Sequence, residues 1–313
     1  MKNLDPKTKC QFSLIIATIA VSWASIFISI LLQNDVPAVV IAFWRLFLSV
    51  LFLIPFIARK EIRDQFKTHL NFPYQRFFIL SGFFLSLHFL SWIQSLTSLS
   101  VAASVIVVNS SPIWVIILSF LLLREKITRY QFIGLILGFF GLSLITLSQD
   151  NQQTSDLISE GILLALFGAV MIAFYFIIGK RMRTQLTVPN IPYVFFVNFF
   201  CSAFLFVFAF ILGENIFRFT LNDLVLFVAL AIGPSLLGHA MYTYAMKQLS
   251  AQTVSLAVIG ETVGASLLAW IILSQILTPT TLVGGLLIIL GIYLNVKFDI
   301  SYYQSEREVY QKK

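Results

Sequence analysis

The 313 residues are 58% hydrophobic and only 11% charged, with a mean hydropathy of +0.90. A soluble globular chain carries about a quarter charged residues and about half apolar ones, so this composition excludes a soluble protein. It indicates a protein whose solvent is lipid. The formal net charge of +7 does not indicate nucleic-acid binding, because the basic residues lie in short clusters between long apolar runs.

Ten apolar segments follow one another along the chain, and each is close to the roughly 20 residues that a helix needs to cross the hydrocarbon layer. In lipid each must be a helix, because the short alternating segments of a membrane barrel are absent from the sequence. The first segment is too long for the core of a signal peptide and is interpreted as an uncleaved span. The predicted spans are residues 12–32, 38–57, 77–96, 104–123, 130–147, 161–179, 193–212, 224–246, 254–273 and 281–298.

The distribution of Lys and Arg predicts the orientation of these spans. If they alternate in direction, 19 of the 21 basic residues fall on the face that carries both ends of the chain. The opposite face has only Arg218 and six acids. Because Lys and Arg favour cytoplasmic loops, we expect both termini to be cytoplasmic. The two charges left inside spans are Arg45 in the second and Glu261 in the ninth.

The sequence repeats itself with an offset of 150 residues. Leu99 aligns with Leu249, and the matches that carry most weight are in small and polar residues, namely Ser100 with Ser250, Thr128 with Thr278, Gly134 with Gly284 and Gly141 with Gly291. We therefore predict two repeats, residues 1–148 and 149–300, followed by a short polar tail at 301–313. Each repeat holds five spans, an odd number, so the two copies lie in opposite orientations. Inverted repeats are typical of carriers that open alternately to each side.

At several of these residues the chain resembles the EamA branch of the drug/metabolite transporter superfamily. In the first repeat the resemblance rests on Ala102 and Ala103, the Asn109-Ser110-Ser111-Pro112 turn, Glu125, Gly134 and Gly141; in the second it rests on Gly260-Glu261-Thr262-Val263, Gly284 and Gly291. Arg45 also lies where such proteins often carry an arginine. The resemblance implies a ten-helix inner-membrane carrier of small metabolites, often an exporter of amino acids or related compounds. Thr262 and Gln275 depart from the family pattern, so the resemblance does not identify the substrate.

Glu261 and Arg45 are the first candidates for a transport site. A charge near the centre of a bilayer is costly unless it is paired or hydrated, and intramembrane ionisable residues are usually functional. Glu261 is predicted to carry protons or bind a cationic group, and Arg45 to bind an anionic group. The alternatives are a structural hydrogen bond for Glu261, a clamp onto backbone carbonyls for Arg45, and a direct pair between the two, which would be electrically silent.

Further candidates lie on the polar faces of predicted helices. Imidazole titrates near neutral pH, and aromatic rings stack on flat or cationic groups, although packing is the alternative for each. Asn109 precedes Pro112, which removes one backbone hydrogen bond from the fourth span and is expected to bend it. The remaining candidates for substrate or ion binding are Ser22, Trp23, His88, Trp92, Asn109, His239 and Tyr242.

The sequence therefore predicts an all-α integral membrane protein with about ten transmembrane helices in two inverted five-helix repeats. We expect a secondary transporter in the cell inner membrane, most simply an exporter of an amphipathic or zwitterionic metabolite, with proton coupling left open, as is the choice between monomer and homodimer. No phosphate-binding loop, metal-ligand spacing or cofactor motif occurs. The alternative is a multispanning membrane enzyme or lipid-headgroup-handling protein, for which the only candidate cluster is the basic loop from Arg59 to Arg76.

Overall fold

The computed structural model describes residues 5–99, 101–125, 127–149, 160–273 and 278–299, and every regular element within them is a helix. The tail at 301–313 lies outside the described residues. The α-helices are Pro6–Val21, Ala24–Gln33, Ala38–Ile57, Lys60–His69, Phe72–Ser95, Val101–Val108, Ser111–Leu118, Arg129–Gln149, Glu160–Thr184, Asn190–Ile211, Leu221–Leu230, Ala240–Ala245, Ala251–Leu273 and Pro279–Lys297, with π-helices at Ser119–Leu123 and Ala231–His239.

These helices form ten segments that are long and apolar enough to cross a membrane, as the sequence predicts. In chain order they are Thr8–Gln33, Ala38–Ile57, Pro73–Ser95, Ala103–Leu123, Arg129–Thr146, Glu160–Thr184, Asn190–Ile211, Leu221–Ala245, Ala251–Leu268 and Pro279–Lys297, called spans one to ten below. Large apolar side chains such as Phe210 and Ile271 are strongly exposed on their outer surfaces. Exposure of this kind is expected where the solvent is hydrocarbon.

Three of the spans are interrupted. Span four breaks at Asn109 and Ser110, and Pro112 lies in the first turn of the helix that follows, where its missing N–H costs nothing. The helix is thus interrupted where the sequence predicted a bend. Span eight changes to a π-helix around Pro234, and span one breaks after Val21, where the Ser22 hydroxyl bonds back to the Thr18 carbonyl at 2.7 Å. The sequence did not predict these last two irregularities.

The packing of the spans has the symmetry expected of inverted repeats. Spans three and six pack together, as do their counterparts, spans eight and one. Span three also packs on span seven, just as span eight packs on span two. Spans two and seven, four and nine, and five and ten contact one another directly and are counterparts of each other. The predicted inverted repeat therefore fits the arrangement of the helices.

Spans five and ten approach most closely at the glycines that the repeat aligns. A Cβ atom built on Gly134 would lie 2.6 Å from the Gly291 carbonyl oxygen, and one on Gly291 would lie 2.5 Å from the Gly134 carbonyl oxygen. Gly284 faces the Gly141 carbonyl in the same way, at 2.6 Å. The small residues let two backbones touch, which is how helices associate tightly in lipid.

The basic segment between spans two and three is not simply a loop. It contains the helix Lys60–His69, in which Phe66 and His69 are buried and the acidic, Lys and Arg side chains are exposed. Phe66 packs against Phe195 and Phe196 of span seven, with ring centroids 5.1 and 5.2 Å apart. Two buried residues three positions apart define one face of a helix, and the basic residues occupy the other.

Candidate functional site

A cavity lies between the two repeats, at the middle of the bundle. Its wall includes four pairs of positions that the 150-residue offset relates: Phe89 with His239, Trp92 with Tyr242, Val108 with Val258, and Ser111 with Glu261. Spans three and four and their counterparts, spans eight and nine, thus contribute equivalent faces. Arg45 of span two, His88 of span three and Asn109 of span four complete the polar part of the wall. A site at the interface of inverted repeats is where carriers bind their substrates.

Arg45 is almost fully buried, with 1% of its surface exposed. Its Nε donates a hydrogen bond to the Ser235 hydroxyl at 3.2 Å, and its Cζ lies 4.3 Å from the centroid of the Phe89 ring. Its Nη1 is buried without a hydrogen-bond partner. Two contacts therefore hold the guanidinium in place while one of its nitrogens is left to bind a group in the cavity.

Glu261 reaches the same cavity from span nine, and its Oε1 is also buried without a partner. No side-chain nitrogen of Arg45 lies within 4.0 Å of a carboxyl oxygen of Glu261. The direct pair considered among the alternatives is therefore wrong for this conformation. The geometry instead holds a guanidinium and a carboxyl group apart across one small space, because each side chain is fixed on a different helix.

The two histidines and Trp92 lie beside these charges. The His88 Nδ1 is 2.9 Å from the Gly168 carbonyl oxygen, so it donates its proton there and its Nε2 is an acceptor. His88 stacks on Trp92, with ring centroids 5.9 Å apart. The Trp92 Nε1 and the His239 Nδ1 are buried and unpartnered. Together with Arg45 Nη1 and Glu261 Oε1, four such atoms belong to residues that line one cavity.

Asn109 and Tyr242 also line the cavity, as expected. Asn109 lies at the break in span four, and its Nδ2 is 3.5 Å from the Thr262 hydroxyl of span nine. The Tyr242 hydroxyl is 3.3 Å from the Thr18 hydroxyl of span one. Both side chains link helices and present a polar edge to the cavity.

The structure does not bring Ser22 and Trp23 into the cavity. Val21 and Ala24 of span one line it, so the two residues between them face elsewhere. Ser22 is buried against Gly264. Trp23 stacks on Phe27, at 5.6 Å between centroids, in an apolar groove between spans one and eight. Their assignment to the site is withdrawn, because the serine stripe does not face inward along its whole length.

Outside the cavity, many polar side chains of the bundle bond to neighbouring helices. Asn198 donates to the Ser49 hydroxyl at 2.8 Å, and the Ser81 and Tyr193 hydroxyls are 2.9 Å apart. Such bonds are the ordinary polar contacts of membrane helices. Buried polar atoms nearly always have a partner. Among the described residues, Ser110, Ser119 and Glu125 also have a buried oxygen without one, but four such atoms come together in the cavity wall, which makes the cavity the candidate site.

The cavity is narrow in this conformation, with room for about three water molecules. A metabolite would therefore fit only after spans separate. Phe89, whose ring packs on the guanidinium of Arg45, is among the wall residues that sequence reasoning missed. Its equivalence with His239 under the repeat was the signal that could have identified it, because equivalent positions face a shared interface.

Ten spans, an inverted repeat and a charged cavity at its centre define a membrane transport protein. The chain belongs to the EamA-like transporter family, whose model matches residues 8–147 and 159–297. The relatives are named transporters rather than enzymes, so the alternative of a membrane enzyme is not supported.

Two relatives from Archaeoglobus fulgidus are each named an uncharacterized transporter. One is 28% identical over 61% of this chain and 66% of its own length, just under two thirds, and the other is 23% identical over 81% and 85%. A protein of Rickettsia felis, named an S-adenosylmethionine uptake transporter, is 31% identical over 45% of each chain. A solved crystal structure with 18% identity superimposes with a TM-score of 0.72, covering 92% of this chain and 96% of that one, and shows the same fold.

Proposed function

We propose that the protein is a secondary transporter that binds a small zwitterionic or amphipathic metabolite in the central cavity and moves it by alternating access. The observation that carries this proposal is the set of unpartnered polar atoms on Arg45, Trp92, His239 and Glu261 around one space. A carboxylate of the metabolite accepts from Arg45, as guanidinium groups favour, and its ammonium group binds Glu261. The aromatic wall packs on the remainder.

An α-amino acid carries this pair of charges, a carboxylate and an ammonium group, on its α-carbon. S-adenosylmethionine, for which the Rickettsia felis relative is named, carries the same pair together with a flat ring. Amino acids and amino-acid derivatives are therefore the substrate class that fits the wall. Export is the direction implied by the family resemblance, whereas that relative is named for uptake, and measurements of efflux and uptake in the same vesicles distinguish the two.

Orientation and location are part of the proposal. The excess of Lys and Arg in the loops after the even-numbered spans supports cytoplasmic termini and a place in the cell inner membrane. Glu261 is proposed to carry the coupling proton. It is the single acidic residue within the predicted spans, and its Oε1 has no hydrogen-bond partner that would prevent it from accepting a proton.

Counterflow into liposomes tests the proposal. Purified protein in liposomes loaded with one amino acid should accumulate labelled amino acid, and the same compounds should raise the melting temperature of the protein in detergent. A panel should include analogues without the ammonium group and without the carboxylate. If those analogues move as well as the zwitterion, the proposed role of the opposed charges is wrong.

A further inference from the structure

A set of hydrogen bonds ties the end of span eight to spans six and seven on the face that is predicted to be cytoplasmic. Four carbonyl groups spaced three residues apart accept them, those of Ala240, Thr243, Met246 and Leu249. The last carbonyls of a helix lack partners within it, so this end of span eight is a natural acceptor surface.

The donors are side chains of three residues. Lys180 Nζ donates to the Met246 and Leu249 carbonyls at 3.0 and 2.8 Å. Arg183 donates from Nε to the Thr243 carbonyl at 3.1 Å and from Nη1 to the Val188 carbonyl. Asn190, at the start of span seven, donates to the Ala240 carbonyl at 2.8 Å. Hydrogen bonds from charged donors are about twice as strong as those between neutral groups.

Burial makes these bonds more consequential. Lys180 and Arg183 are each only 5% exposed, so breaking their bonds leaves charged groups unsatisfied unless water enters. Glu125, before span five, belongs to the same region and accepts from the Ala251 amide at the start of span nine. Burial raises the pKa of the Glu125 carboxyl above its ordinary value, while the nearby Lys180 ammonium and the Ala251 amide act in the opposite direction.

The opposite face has no counterpart in the part of the chain that the structure describes. Span one is the counterpart of span six. Its last residues, among them Ile30, Leu32 and Gln33, include no Lys or Arg. Leu99, after span three, is half-buried, whereas its counterpart Leu249, after span eight, is buried. The two faces therefore differ at the positions that take part in the bonds of Lys180.

We infer that Lys180 and Arg183 form a gate that holds the cavity closed toward the face carrying Lys247, and that transport requires their bonds to the end of span eight to break. This inference rests on the proposed function, since it takes the central cavity as the transport site. A polar depression lined by Lys180, Arg183 and Lys247 lies on the side of the gate that faces away from the cavity. That depression is where a solute would meet the gate when approaching from this face.

Sided cysteine labelling tests the gate without any substrate. The background carries Cys10→Ser and Cys201→Ala, with Ser111→Cys as the reporter in the cavity wall. A charged, membrane-impermeant thiol reagent is applied to each face of sealed vesicles in turn. We expect slow reporter labelling from the Lys247 face, and at least about tenfold faster labelling from that face after Lys180→Met, because two charge-assisted bonds are lost.

Lys247→Met is the matched control, since Lys247 lines the same depression but is exposed. It removes one positive charge without removing a gate bond, and reporter labelling should stay unchanged. An equal acceleration in Lys247→Met would show that charge alone matters, and would overturn the gate. No acceleration in correctly folded Lys180→Met or Arg183→Met would overturn it as well.

The unaltered chain gives a measurement that does not depend on folding of the variants. A small amine-acylating reagent added to the purified protein should modify Lys180 at least about ten times more slowly than Lys247, because Lys180 is buried and bonded. Comparable rates would overturn the gate. Since neither experiment uses substrate, a failure of the gate is distinguishable from a failure of amino-acid transport, which only counterflow measures.

Discussion

At the scale of single residues, Arg45 and Glu261 illustrate how opposite charges inside a membrane stay available for binding. Each charge alone would carry a large desolvation cost, and in a direct pair the two charges would neutralise each other and leave neither for a ligand. Ser235 and the Phe89 ring hold the guanidinium of Arg45 instead. The two charges therefore remain separated, so that a ligand carrying both signs can bridge them.

Glu261→Gln should abolish flux driven by a proton gradient while the protein still folds, because the amide has nearly the shape of the acid but cannot exchange a proton at neutral pH. The measurement is uptake or efflux of labelled substrate in liposomes with an imposed pH difference. Glu214→Gln is the control, since this acid lies outside the cavity in an exposed pair with Arg218. Undiminished proton-driven flux in Glu261→Gln would show that this carboxyl is not the coupling group.

Trp92→Ala should weaken substrate binding by about tenfold or more, because it removes an aromatic face that packs on the ligand. Trp23→Ala should leave affinity unchanged, since Trp23 faces the groove between spans one and eight. Affinity is measured from the ligand-dependent rise in melting temperature. The assignment of Trp92 to the site fails if both variants bind equally well.

At the scale of elements, the glycines of spans five and ten show why a sequence match became a packing contact. The repeat aligns Gly134 with Gly284 and Gly141 with Gly291, and each of these glycines packs on the counterpart of the other: Gly134 faces Gly291 and Gly141 faces Gly284. Their carbonyl oxygens occupy the space where a side chain would begin. These helices form the scaffold of the bundle, and their glycines do not contribute to the cavity.

Gly284→Ala should destabilise the protein by about 1–3 kcal/mol, because the added Cβ would lie 2.6 Å from the Gly141 carbonyl oxygen and neither backbone can yield easily. Gly285→Ala changes the next residue, where the nearest atom is Val263 Cγ1 at 3.6 Å, and should be close to neutral. Thermal unfolding of both variants in detergent measures the difference. Equal melting temperatures would mean that the two spans do not pack through these glycines.

At the scale of the whole molecule, the loops after the even-numbered spans carry most of the positive charge, and the gate built on Lys180 and Arg183 lies on the same face. Basic residues thus have two roles on one face. Some are exposed and are proposed to orient the chain in the membrane, whereas these two are buried and bind backbone carbonyls.

Lys247→Cys should be labelled by an impermeant thiol reagent only from the cytoplasmic side, and Arg218→Cys only from the opposite side, in the background without native cysteines. Both residues are exposed in loops or at helix ends, so neither change should disturb the fold. Vesicles of known sidedness provide the measurement. Labelling of both from one side would contradict the proposed topology.

The sequence by itself determined the number of spans, the repeat and the two intramembrane charges, because hydrophobic length, offset identity and isolated ionisable residues are local or periodic properties. Most candidate residues also reached the cavity, since the repeat already aligned Trp92 with Tyr242. Only the tertiary structure decided that Arg45 and Glu261 stay apart, that Trp23 faces away from the cavity and that Lys180 binds the carbonyl groups after span eight. These outcomes depend on how helices rotate and break at Ser22 and Pro234, which contacts between distant segments set and sequence periodicity does not encode.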